Sequence, residues 1–153
     1  MDMTIMSPAF LYGGMIPAKY AADGADMSPP LNWSSVPQTA HTLALICDDP
    51  DAPGGTWVHW VLFNIPPDTM ELGEQIPTDG RLADGSCQGV NDFGSLGYGG
   101  PAPPSGIHRY FFTLYALDCV LDLQPGCRKY DLVTAMQGHI LAEAQCVGQY
   151  RRR

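Results

Sequence analysis

Three apolar runs set what this chain can fold into, because each is short and each is cut off by residues that cannot extend it. Thr42-Leu43-Ala44-Leu45-Ile46-Cys47 is followed by Asp48-Asp49-Pro50. Its length and that boundary predict a buried strand. Trp57-Val58-His59-Trp60-Val61-Leu62-Phe63-Asn64-Ile65 is rich in aromatic and β-branched residues and stops at Pro66-Pro67, which predicts a second strand. Tyr110-Phe111-Phe112-Thr113-Leu114-Tyr115-Ala116-Leu117 predicts a third. Side chains alternate along a strand. His59 is therefore expected on one face with Trp57, Val61 and Phe63, and His108 on one face with Tyr110, with Arg109 on the other.

The rest of the chain is rich in turn-forming residues, with Gly 17 and Pro 14 in 153 residues and no fixed period. Nine glycines punctuate residues 66–106, which read as loop with short strands. Met27-Ser28-Pro29-Pro30-Leu31-Asn32-Trp33 cannot be a long helix, since proline removes donors and restricts its neighbour. Trp33 is expected to anchor this irregular segment on the core. One helix is predicted between Tyr130 and Gln149, where Val133, Met136, Ile140, Ala144 and Val147 recur at spacings of three and four. Asp131 suits its positive end, and His139 is expected to pair with Glu143 one turn on.

This length predicts one domain, residues 1–153, able to bury a core without staples. The net charge of −8 argues against a nucleic-acid binder, the only basic run being Arg151-Arg152-Arg153. Global acidity also means that any anion pocket must be local. The first residues lack the basic and apolar segments of a signal peptide, and no run is long enough to span a membrane. Cys47, Cys87, Cys119, Cys127 and Cys146 are odd in number and lack CxxC spacing. They are expected to be reduced thiols of a cytoplasmic protein, without zinc or disulfides.

Two segments carry chemistry. Asp48-Asp49-Pro50-Asp51-Ala52-Pro53 is a stiff acidic corner directly after a strand. Gly99-Gly100-Pro101-Ala102-Pro103-Pro104-Ser105-Gly106-Ile107-His108-Arg109-Tyr110 is a rigid loop feeding a strand through His-Arg-Tyr. Glycine lets backbone N–H groups approach a ligand, and proline lowers the ordering cost of binding. Imidazoles can donate to an oxyanion, and a carboxylate fixes an imidazole tautomer. Asp49, His59 and His108 together read as a small anion pocket. A metal site from the same three residues is the competing reading, but no metal or cofactor is expected. No dinucleotide fingerprint, Walker loop, HExxH or GxSxG motif is present.

These segments, with Trp57-Val58-His59-Trp60, resemble the two signature regions of the phosphatidylethanolamine-binding proteins, also called Raf kinase inhibitor-like proteins. Ser28-Pro29-Pro30-Leu31-Asn32-Trp33 and Gly138-His139-Ile140-Leu141-Ala142-Glu143 resemble the compact bacterial branch. The resemblance implies a mostly β fold of two packed antiparallel sheets with a C-terminal helix. It implies a pocket for phosphate, acetate or a phosphorylated headgroup, lined by Asp49, His59, Gly100, His108 and Tyr110 with Ala52 and Pro53 near. Because the chain ends soon after its helix, it is expected to lack the further C-terminal helix of animal members. The tight acidic corner and the resemblance together predict a cis Ala52–Pro53 bond.

The leading functional expectation is a non-enzymatic binding protein that captures a small anionic group and modulates a kinase or protease. The alternative is a hydrolase of a phosphate or acyl substrate using the same residues, with Ser105 or Cys87 as nucleophile. The oligomeric state is left open, dimers being the commonest closed assembly.

Overall fold

A computed structural model describes residues 1–152. In chain order the strands are β1 (Thr4–Met6), β2 (Leu31–Ser34), β3 (Thr42–Asp49), β4 (Trp57–Ile65), β5 (Glu71–Leu72), β6 (Cys87–Gln88), β7 (Ile107–Leu117) and β8 (Ile140–Arg151), with helix α1 at Lys129–Met136. They build a three-stranded sheet, β1-β2-β5, and a five-stranded sheet, β6-β4-β3-β7-β8. Every pairing is antiparallel. The fold is mostly β with two antiparallel sheets.

The apolar runs are the three central strands of the large sheet, and burial on both faces explains why they read as nearly continuous. Leu43, Leu45, Trp60, Leu62, Tyr110, Phe112 and Leu114 pack on one face against Ile5, Phe10, Ile16 and Trp33. Ala44, Ile46, Val58, Val61, Phe63 and Leu117 pack on the other against Leu132 and Met136 of α1. Trp33 is buried as expected, but it sits within β2 rather than in an irregular segment.

The strict alternation expected along β4 fails at His59 and again near Asn64, whose φ is 54°. Cys47 pairs with Trp60 and Asp48 with Val58, so His59 is the extra residue of a bulge. A bulge sets two adjacent side chains on the same side of the sheet. Trp57, His59, Trp60 and Leu62 therefore share a side, while Val61 and Phe63 lie opposite.

The predicted helix over 130–149 is a correction. α1 ends at Met136, and Gly138 adopts the left-handed φ of 81°, a geometry glycine adopts at no steric cost. The remainder becomes β8, twelve residues paired along nearly the whole of β7. Ala142, Ala144, Cys146 and Tyr150 alternate onto the first core, and this period of two coincides in part with the helical spacing. The one helix thus lies near the C-terminus but is shorter than expected, with β8 after it. At its start Asp131 accepts the Arg128 backbone N–H at 2.9 Å, as its position at the positive end suggests. His139, just before β8, pairs with Asp118 at 2.8 Å instead of Glu143. The Ala52–Pro53 bond is trans, against expectation. The corner is closed by side-chain hydrogen bonds described below. Among the described residues no helix is long and apolar enough to cross a membrane.

Candidate functional site: a cavity at the end of the central strands

Strands β3 and β7 run side by side, so the corner that ends β3 meets the residues that begin β7. Two alternate residues of the corner grip two adjacent residues of β7 on opposite faces. On the inner face, the buried Asp49 carboxylate accepts the Asp51 backbone N–H through Oδ1 at 2.7 Å and His108 Nδ1–H through Oδ2 at 2.7 Å. The first is an Asx turn, the local device by which aspartate bends a chain. On the outer face, Asp51 accepts the Arg109 backbone N–H at 2.9 Å and its guanidinium at 2.9 and 2.8 Å. The guanidinium hydrogen bonds hold the Asp51 carboxyl down at about 2 from its ordinary 3.8. Arg109 also lies 5.4 Å from the Phe111 ring, which shares its face.

The bulge in β4 presents His59 to the same inner space. Its Nδ1 is 2.6 Å from the Gly99 carbonyl, and Gly99 N–H donates back to the His59 carbonyl at 2.9 Å. A carbonyl only accepts, so Nδ1 carries the proton. Burial pushes the His59 pKa below its ordinary 6.5, with the Gly99 carbonyl and Asp49 opposing that shift. The ring is therefore neutral at pH 7, and Nε2 is left with a lone pair. Phe93 and Tyr110 meet the imidazole edge-to-face at 5.4 and 5.2 Å and fix its plane.

Tyr110 completes the set. It is 1% exposed, and its hydroxyl is the one buried side-chain polar atom among the described residues with no hydrogen-bond partner. Burial raises its pKa, so it remains a hydroxyl donor.

Asp49, His59, His108 and Tyr110 line a cavity of about 260 Å³. Ala52 and Pro53 from the corner and Ala102, Pro103 and Pro104 from the loop form its walls. Trp57 and Phe93, 38% and 45% exposed, stand at its rim in edge-to-face contact. Six of the seven residues read from the sequence as pocket residues are thus brought together. Gly100 is not among them. Its N–H donates to Asp26 Oδ1 at 2.7 Å, and an added Cβ would stand 2.4 Å from the Tyr20 carbonyl oxygen. It roots the loop behind the cavity, where its backbone also acts on the His59 ring. Phe93 escaped the sequence reading. Its backbone N–H donates to Asn91 Oδ1 at 2.9 Å in an Asx turn, and its ring meets His59.

The nucleophile candidates lie elsewhere. Ser105 is exposed and off the cavity, and Cys87 is buried in the second core. No serine, threonine, cysteine or lysine is among the lining residues. Asp49, His59 and His108 do not bring three ligand atoms within metal-binding reach of one another. Among the described residues that holds only for Asp118, Cys119 and His139.

The sequence model described as phosphatidylethanolamine-binding protein matches residues 6–151. A UPF0098 protein of Methanothermobacter thermautotrophicus is 60% identical over 150 residues, covering 98% of this chain and 99% of that protein. A UPF0098 protein of Aquifex aeolicus is 46% identical, covering 98% and 89%. Among solved structures, a Chlamydia trachomatis protein described as a candidate homologue of the phosphatidylethanolamine-binding proteins superposes with a TM-score of 0.92 at 41% identity, covering 99% of each chain. The E. coli protein YbcL, described as a new member of the mammalian family, gives 0.92 at 29% identity over the whole of both chains.

Proposed function

The chain belongs to the phosphatidylethanolamine-binding protein family, and on that premise we propose that it is a non-enzymatic receptor for a small oxyanion of the phosphate class, held in the cavity between His59, His108 and Tyr110. The observation that carries this reading is the buried Tyr110 hydroxyl without a partner. A buried donor left unsatisfied costs about 1–3 kcal/mol, so its place beside a cavity favours an occupant with an acceptor. The two histidines have each committed Nδ1 to an acceptor behind them, which leaves Nε2 for that occupant. A neutral Nε2 is an acceptor. An oxyanion must therefore bring a proton, as a phosphomonoester monoanion does, or the ring must take one up on binding.

The apolar walls and the exposed aromatic rim suit the organic part of a phosphorylated headgroup, and the rim is the contact through which a kinase or protease partner would be modulated. The five unpaired cysteines fit a reducing compartment, the cytoplasm. The want of a serine, cysteine, threonine or lysine at the cavity favours binding over covalent hydrolysis.

Calorimetric titration with inorganic phosphate and phosphoethanolamine, beside a turnover screen of phosphomonoesters and carboxylic esters, tests the reading. Stoichiometric binding without turnover is expected. Turnover abolished by His108→Ala would establish the hydrolase instead.

A further inference from the structure

At the end of the sheet away from the corner, the two ends of the β7–β8 connection bring together three side chains of different donor chemistry. Asp118 and Cys119 follow β7 directly, and His139 precedes β8 directly. One carboxylate oxygen, one thiol sulfur and one imidazole nitrogen lie within 4.8 Å of one another. From the geometry of this trio we propose a binding site for one divalent zinc-class ion, held by Asp118, Cys119 and His139 with solvent in the fourth position.

The backbone holds the three in place. Asp118 N–H donates to the His139 carbonyl at 3.0 Å, and His139 N–H to the Met136 carbonyl at 2.9 Å. The Cys119 carbonyl accepts Thr42 Oγ1–H from the neighbouring β3 at 2.7 Å. Gly138, with φ at 81°, turns the chain so that His139 faces the end of β7. The donor set of sulfur, nitrogen and oxygen is that of tetrahedral zinc, with bonds of about 2.3, 2.0 and 2.1 Å. Those bonds put the ligand atoms roughly 3.3–3.6 Å apart. His139 Nδ1 and Asp118 Oδ1 are already 2.8 Å apart, joined by an Nδ1–H hydrogen bond to the carboxylate. An ion in that proton's place spreads the pair by about half an ångström, and rotation of Cys119 brings in the sulfur. On binding, the thiol proton leaves to solvent, and a neutral His139 moves its one proton from Nδ1 to Nε2. Cys119 is partly buried and the other two are exposed, so the site is open to metal without unfolding. Sequence spacing could not reveal it, since its ligands stand about twenty positions apart with no CxxC.

The test titrates zinc and cobalt into the full chain, freed of metal by chelation. Variants are Cys119→Ala, His139→Ala and Asp118→Asn, with Cys127→Ala and His108→Ala as controls, and folding of each is checked by circular dichroism without metal. One equivalent is expected to bind, cobalt giving a thiolate charge-transfer band. Cys119→Ala should abolish that band, and His139→Ala and Asp118→Asn should each weaken binding at least about tenfold. If any of these does not fold, the other two decide. Unchanged binding in the folded Cys119, His139 and Asp118 variants overturns the proposal. So does loss of metal in His108→Ala or of the band in Cys127→Ala, or no binding by the parent chain.

Discussion

Asp49→Asn should make sulfate binding weaker in acid and stronger in base, so that its affinity curve against pH crosses that of the parent chain. Asp49 Oδ1 accepts the Asp51 backbone N–H, which cannot reorient, so an asparagine keeps its carbonyl oxygen there and turns its NH2 toward His108. A donor now faces Nδ1. The neutral imidazole must become an acceptor on that side, which moves its proton to Nε2, facing the cavity. With Nδ1–H given to Asp49, a neutral His108 in the parent chain offers the anion a lone pair at Nε2 beside a buried carboxylate. In Asp49→Asn it offers a proton and the carboxylate charge is gone. One neutral hydrogen bond, about 0.5–1.5 kcal/mol, is gained there, roughly two- to twelvefold in affinity. A doubly protonated parent ring donates from both nitrogens, whereas the asparagine NH2 opposes a second proton. The variant then exchanges a charge-assisted bond for a neutral one and loses about 1 kcal/mol. The same exchange against His108 costs about 1 kcal/mol of stability, or about 2–4 °C in Tm for a chain of this size. Calorimetry of sulfate binding at about pH 5.5 and 8.5, in buffers of different ionisation enthalpy, measures affinity and proton uptake together. Parallel curves with equal proton uptake would refute the tautomer argument.

Tyr110→Phe removes the one buried hydroxyl without a partner among the described residues, so Tm should hold or rise while anion affinity falls by about two- to twelvefold; equal affinity in the two proteins would count against Tyr110 as a ligand. Asp51 is held at about 2 in the fold against 3.8, so the stability it contributes is complete above about pH 3.8 and is lost as pH falls toward 2. Urea unfolding from about pH 4 to 2 should show a shallower acid loss in Asp51→Asn. His59 is depressed below 6.5 by burial, so protons bind the unfolded chain more readily and stability falls as pH drops below 6.5, a slope His59→Gln should reduce. Gly100→Ala drives a Cβ to 2.4 Å from the Tyr20 carbonyl oxygen and should cost about 1–3 kcal/mol, read as a lowered urea midpoint.

Much of this arrangement was legible because the three central strands carry their own boundaries. Trp57–Ile65 matches β4 at both ends, where Pro66 and Pro67 stop it. β3 runs two residues past its apolar stretch because Asp48 finds Lys129 at 2.6 Å and Asp49 finds His108. Such partners are distant in sequence, so charge looked like a boundary there. β1, β5 and β6 have two or three residues each, too few for a period, and they exist through pairing with strands far along the chain. The last strand was misread because alanines and a cysteine supply weak apolar positions that suit a helix face nearly as well as a sheet face. At the site, Asp49, His59 and His108 could be named from residue type and order alone. The bulge that puts His59 beside Trp60, the meeting of Phe93 with His59, and the packing of Gly100 against Tyr20 depend on register and contact, which no local pattern encodes.

The most direct measurement is sulfate binding, a ligand of constant charge, titrated by calorimetry from about pH 5.5 to 8.5 in the parent chain, His59→Ala and His108→Ala. If the cavity is an oxyanion site in which imidazoles must take up a proton to donate, affinity falls as pH rises through this window. Proton uptake then accompanies binding, and His108→Ala binds about ten- to a hundredfold more weakly at the acid end. A flat profile, with both variants binding as the parent does, would show that these histidines do not form the site.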